Sequence, residues 1–251
     1  MCCFSREVLS VSGTNLFARL EPDGRQYVVY AMTVHSDEQV SMILPVPVAE
    51  GRGEDAMKFI DLSGYPEMFQ DMARGFPVPR SKSGGGPFGV KPAAAQPLKV
   101  ERVGAFDASY VPTVADFGRL DPRFRLPDGT WEKLPGYSGF GFAVFKLREG
   151  RRDYHPMAFT FPSAVPDRLF FPTLHIHDGQ IHKKAHFDHS LFCQGQGMKP
   201  GEWQESAQLP VQFMKPGKTQ GIVLPGHHVY RRRLHGELAN TDWLVKARAL
   251  V

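Results

Sequence analysis

The sequence is short of cysteine, of long apolar runs and of surplus charge, and each shortage removes a class of protein. Only three cysteines occur in 251 residues, Cys2, Cys3 and Cys193. An odd count that opens on an adjacent pair is no disulfide framework, so reduced thiols are expected. No stretch approaches the roughly eighteen apolar residues of a membrane helix, and the start MCCFSREVLSVSGTN lacks the basic-then-apolar order of a secretory leader. A cytoplasmic protein without membrane contact is expected. Thirty basic against 26 acidic residues leave a formal charge of +4, too dilute to argue for nucleic acid without a concentrated patch. Heptads, helical repeats and long low-complexity tracts are missing. Gly84-Gly85-Gly86 is not followed by the Lys-Ser/Thr pair of a phosphate loop.

What is present is strand-forming. Residues 6–48 read as a β-meander with a turn at Pro22-Asp23-Gly24. In it Val28, Val29, Tyr30, Met32 and Val34 make a nearly continuous apolar run, the mark of a strand covered on both faces. Pro45 and Pro47 cannot donate ladder bonds, so the third strand should end at an edge. Over residues 53–76 the period changes. Met57 and Ile60 are three apart, and Tyr65, Phe69, Met72 and Phe76 keep helical spacing, which predicts two short helices laid on one sheet face. Residues 77–97, rich in Gly, Pro, Ser and Ala, read as a loop or linker. Further strands are expected in LKVERVGAFDASYVPT, and a short helix in VADFGRLDPRFRLP. GFGFAVFKL and YHPMAFTFPS form a second hairpin about Glu149-Gly150. A helical turn at GEWQESAQLP and a strand through His227–His235 close the chain. The expected fold class is α+β: one domain over 1–251, predominantly antiparallel β-sheet, sandwich-like or an open barrel, with a few short helices.

The chemistry concentrates in FPTLHIHDGQIHKKAHFDHSLFCQ, residues 171–194, which hold five of the ten histidines and one cysteine. Asp178-Gly179 is a favoured two-residue hairpin turn, because both positions tolerate positive φ. A hairpin there sets His175 opposite His182, and strand parity puts His175, His177 and His182 on one face. Three convergent imidazoles are the ligand set of a transition-metal site with one position open to water. Zinc is favoured for hydrolytic chemistry, and copper or iron fit the same ligands. His186, His189 and Cys193 are close enough to act as catalytic residues, as an additional ligand or a base beside the metal, on a small-molecule substrate.

At ILPVPV, FIDLSGYPEMF, GFAVFKL, HPMAFTFPSAVPDRLFFP and HIHDGQIH the sequence resembles a family of uncharacterised bacterial proteins known as a domain of unknown function. The likeness spans most of the chain. It implies one continuous β-rich unit and transfers no catalytic residue. Three functions are thus in competition. The first is a metal-binding protein or metal-dependent enzyme built on His175, His177 and His182. The second is a hydrolase whose nucleophile is Cys2, exposed by loss of Met1. The third is a non-enzymatic binding or scaffold protein with solvated histidines.

Overall fold

In the computed structural model, residues 3–76, 101–104, 106–127 and 129–250 are described. The short strand β1 (Cys3–Phe4) precedes β2 (Ser10–Leu20) and β3 (Arg25–Ser36), an antiparallel hairpin, and β4 (Val40–Val46) then leaves for another sheet. The hairpin turns where the sequence predicts. Gly24 takes φ 83°, a conformation that a Cβ would strain, and its N–H donates to the Glu21 carbonyl at 3.0 Å. Next come β5 (Lys58–Asp61), the α-helix α1 (Met68–Arg74), β6 (Glu101–Val103) and β7 (Phe106–Val111). A run of 3₁₀ turns between Val114 and Tyr137 leads to β8 (Gly141–Leu147), β9 (Gly150–Asp153), β10 (Met157–Pro162) and β11 (Arg168–Phe171). The last stretch carries β12 (Lys184–Gln194), β13 (Gln204–Glu205), β14 (Tyr230–Ala239) and β15 (Trp243–Lys246).

The strands sort into a large sheet ordered β13-β14-β12-β2-β3-β10-β5, with β9 added to β3, a smaller sheet ordered β1-β4-β8-β7-β6, and the ribbon β11-β15. Every named pair is antiparallel except β12 with β2, which run parallel with Ser190 opposite Asn15 and Gln194 opposite Arg19. The fold class is α+β with antiparallel pairing dominant, as expected.

Alternation explains the layers. On the inner face of the large sheet, Val28, Tyr30, Met32 and Val34 of β3 and Phe159 and Phe161 of β10 meet Met42, Leu44, Ala143 and Phe145 of the smaller sheet. Burial of each large side chain contributes about 1.5–3 kcal/mol. On the outer face, Phe17, Val29, Ala158 and Phe192 are covered by Met68, Phe69 and Met72 of α1 and by Ile222, Val223 and Val229. The central strands are therefore covered on both faces. The outer face of the smaller sheet is covered in turn by Phe117, Leu120, Leu126 and the segment holding Leu174 and Ile176. Pro45 also fits its place: β1 covers β4 only at Met42 and Ile43, so at Pro45 the strand has β8 alone as neighbour.

Partner choice departs from the sequence reading in four places. The meander is broken, because β4 pairs with β1 and β8 instead of β3. The hairpin about Glu149-Gly150 does not form: β8 lies in the smaller sheet and β10 in the large one, between β3 and β5. The first predicted helix, at Met57–Ile60, is the edge strand β5, held by four residues of β10. The helical turn expected at GEWQESAQLP is in part the strand β13, on the edge of β14. The Gly-, Pro- and Ser-rich stretch 77–97 lies outside the described residues.

Candidate functional site

Residues 172–183 link β11 to β12, and they are not a β-hairpin. The backbone that a hairpin would pair internally is used by distant segments. The Phe4 and Val8 N–H groups donate to the carbonyls of Ile176 and His177, at 3.0 and 3.3 Å, and Cys3 bridges to Ile176 in parallel. One side chain, Asn240, ties the two ends of the loop. Its Oδ1 accepts from His175 N–H at 2.7 Å, and its Nδ2 donates to the carbonyls of His175 and His182, each at 2.9 Å. Asp242 fixes the entry, its Oδ1 accepting from Thr173 and Leu174 N–H at 2.6 and 2.8 Å. Asp178-Gly179 remains a bend, with Gly179 at φ 73° and Asp178 Oδ1 accepting from Gln180 N–H at 2.9 Å.

This course separates the predicted trio. His182 stays at the exposed tip, its Nε2 2.8 Å from Asp178 Oδ2. His175 and His177 turn inward instead and meet His189 of β12. The rings of His177, His175 and His189 form a file with 5.2 Å between successive centroids and interplanar angles of 11° and 16°. Phe187 packs against His175 at 4.3 Å and His189 at 5.0 Å, and Phe4 meets His177 edge-on at 5.5 Å. The file fills the end of the core, between β12 and the N-terminal segment.

Burial sets the electrostatics. It disfavours the charged imidazolium, so His177 is pushed down to about 4 and His189 to about 3. His175, in the middle of the file, is lowered further, chiefly by burial, with the neighbouring imidazoles among the smaller contributions. The Nε2 atoms of His175 and His177 are sealed from solvent and have no hydrogen-bond partner. Asp242 is displaced the other way, pushed up to about 6 by burial.

The metal reading is corrected by this geometry. Among the described residues no group of three or more His, Cys, Asp or Glu side chains is arranged to hold a metal ion. The rings of His177, His175 and His189 lie nearly parallel while His182 stays at the exposed tip, so the trio proposed to hold zinc, copper or iron is not assembled. A shallow depression of about 370 Å³ does touch His175, His177, His182 and His186, but the Nε2 atoms of the first two have no access to it.

Of the other candidates only His189 joins the file. His186 is exposed and meets His235 edge-on at 5.9 Å, His189 is 1% exposed, and Cys193 is fully buried. Burial pushes the Cys193 thiol up, away from the nucleophilic thiolate, and its Sγ lies 3.4 Å from Met198 Sδ. Cys3 is also fully buried. Cys2, and with it the hydrolase reading, lies outside the described residues. The residues that organise the loop, Asn240 and Asp242, were missed, since nothing local to NTDW signals a contact some sixty-five positions away.

No family description matches the chain, and no curated protein matches it in sequence. Its fold does have solved counterparts. The crystal structure of baculovirus P35 superposes with a TM-score of 0.55 at 11% identity, covering 98% of this chain and 100% of that one. A mutated baculovirus P35 after caspase cleavage superposes with a TM-score of 0.51 at 10% identity, covering 94% and 100%. At such identity the likeness is one of fold: this chain has the architecture of baculovirus P35 over essentially its whole length.

Proposed function

We propose that this chain is a non-enzymatic binding protein whose partner is another protein, and that it engages a protease of the caspase class. The end-to-end likeness of fold to P35 carries the reading, since one of those structures was captured after caspase cleavage. The state of the histidines supports it from the opposite side. The polar residues that would make an enzyme are spent on filling the core and closing a loop, and Cys193 is sealed inside. Protein recognition needs no such constellation, only an accessible surface of suitable shape and charge.

The experiment is direct. Purified full-length chain is mixed with active caspases, and residual peptidase activity, complex formation by size-exclusion chromatography and the intact mass of the chain are followed together. The expected result is a complex of roughly one chain per active site, with loss of protease activity. Unchanged activity, no co-elution and an uncut chain at a roughly tenfold molar excess overturn the reading.

A further inference from the structure

Among the described residues β15 is paired as a strand on one side only, with β11. Ala247 N–H donates to the Asp167 carbonyl at 3.1 Å, and this fixes the phase of the β11-β15 ribbon. The backbone groups of Trp243, Val245 and Ala247 point to β11, and those of Leu244, Lys246 and Arg248 point away. On that outer edge Arg248 alone is engaged, exchanging bonds with Gln196 at 3.0 and 3.1 Å. The chain then turns off at Gly197, with φ 87°. Beyond it the outward backbone groups of Leu244 and Lys246 have no partner among the described residues.

A cleft of about 650 Å³ lies along this edge, within the size range of ligand sites. Every residue from Trp243 to Arg248 lines it, with Trp203 also in the wall. Successive side chains of a strand point to opposite faces, so a hollow touched by six consecutive residues runs along the strand's edge. Its charged lining is Lys199, Arg232, Lys246 and Arg248 against Asp167 and Glu202. Glu202 is occupied, 3.2 Å from Arg232 and 3.7 Å from Lys199. Asp167 lies 4.0 Å from Arg168. Lys246 and Arg248 have no acidic partner among the described residues.

We propose that the β15 edge takes up an extended acidic segment of the protein partner as an added strand. The inference rests on the reading that this chain works by holding a protein. Leu244 and Lys246 supply N–H and C=O groups to the incoming backbone, as Arg248 already does to Gln196. Apolar side chains of the segment lodge against Trp203 and Trp243, and its carboxylates meet Lys246 and Arg248.

The test uses the full chain and two end-capped seven-residue peptides, one alternating glutamate with valine and one alternating lysine with valine. Tryptophan fluorescence and backbone amide NMR shifts report binding at low salt. Saturable binding of the glutamate peptide is expected, with shifts at Leu244 and Lys246, and with the lysine peptide at least about tenfold weaker. Leu244→Pro removes only an outward-facing N–H, so it should lower affinity about tenfold or more while β11 pairing persists. Lys246→Glu with Arg248→Glu should reverse the peptide preference, and this exposed pair serves if the proline variant does not fold. Equal binding of both peptides, binding indifferent to these substitutions, or no saturable binding of either overturns the proposal. A sample that holds a caspase yet ignores both peptides removes this inference alone. A sample that binds the glutamate peptide but leaves every caspase untouched removes the protease reading and keeps the edge.

Discussion

The loop 172–183 and the strand β15 are joined through Asn240 and Asp242, yet they are opposites. The loop holds three of the chain's histidines, and its ends are already bonded while two of those imidazoles are sealed inside. β15 holds no residue that reads as catalytic, but it keeps unmet backbone groups, the indole of Trp243 and uncompensated positive charge beside an open cleft. Residue type marks where chemistry is conceivable. Access and unsatisfied bonding decide where something can bind.

The contrast breaks most visibly on truncation. Phe187→Ala removes the ring packed against His175 and His189 and should cost about 3–5 kcal/mol in urea unfolding. Leu244→Ser, at a side chain 47% exposed on the open edge, should stay within about 0.5 kcal/mol. Comparable losses at the two positions would erase the distinction between a closed and an open region.

Asn240→Ala is the next largest effect. It deletes three hydrogen bonds to the loop backbone and should cost about 2–3 kcal/mol, with faster amide exchange at residues 175–183. A loss below about 0.5 kcal/mol would mean that packing alone holds the loop.

Acid sharpens the comparison. His177 at about 4 and His189 at about 3 lie below the ordinary 6.5, so between about pH 6.5 and 4 the unfolded chain takes up protons that the folded chain refuses. Their contribution is complete above pH 6.5 and declines as pH falls, by up to about 1.4 kcal/mol per pH unit for each group. Asp242 opposes this: raised to about 6, it binds its proton first in the folded state and gains stability as pH drops from 6 towards 3.8. Urea midpoints at pH 7, 6, 5 and 4 should fall, and His189→Phe should flatten the decline. An unchanged slope in that variant would show that the buried file does not govern the acid limb.

The smallest effect is expected at the tip. His182→Ala should shift stability by no more than about 0.5 kcal/mol, and added zinc should leave the melting temperature of either protein unchanged. A zinc-dependent rise lost in the variant would restore the ligand role that the geometry withdraws.

Local signals were readable in the sequence and partner choice was not. The turn at Pro22-Asp23-Gly24, the two-faced burial of Val28 to Val34 and the helical stripe ending at Phe76 depend on neighbours a few positions away, and all three appear. Asp178-Gly179 is an equally good turn signal, yet a hairpin also needs free backbone on both arms, and Phe4, Val8 and Asn240 had taken it. Met57, just before the edge strand β5, and Ile60 within it carry helical spacing by coincidence, in a strand too short for its period to be diagnostic. The histidines were visible as residues, but their burial depends on β12, whose side facing His175 is set by its pairing with β2 and β14.

That parallel pairing has a consequence for how the molecule comes into being. One flank of Ser10–Leu20 pairs with the adjacent β3, but its other flank is met only by Lys184–Gln194, about 175 positions further on. Such non-local pairing is intrinsically slow to form, and an unpaired flank of β2, beside Leu16 and Phe17, is the kind of open edge that other strands can add to. The principal sheet is therefore completed only by strands from the last third of the sequence, β12 against β2 and β14 against β12.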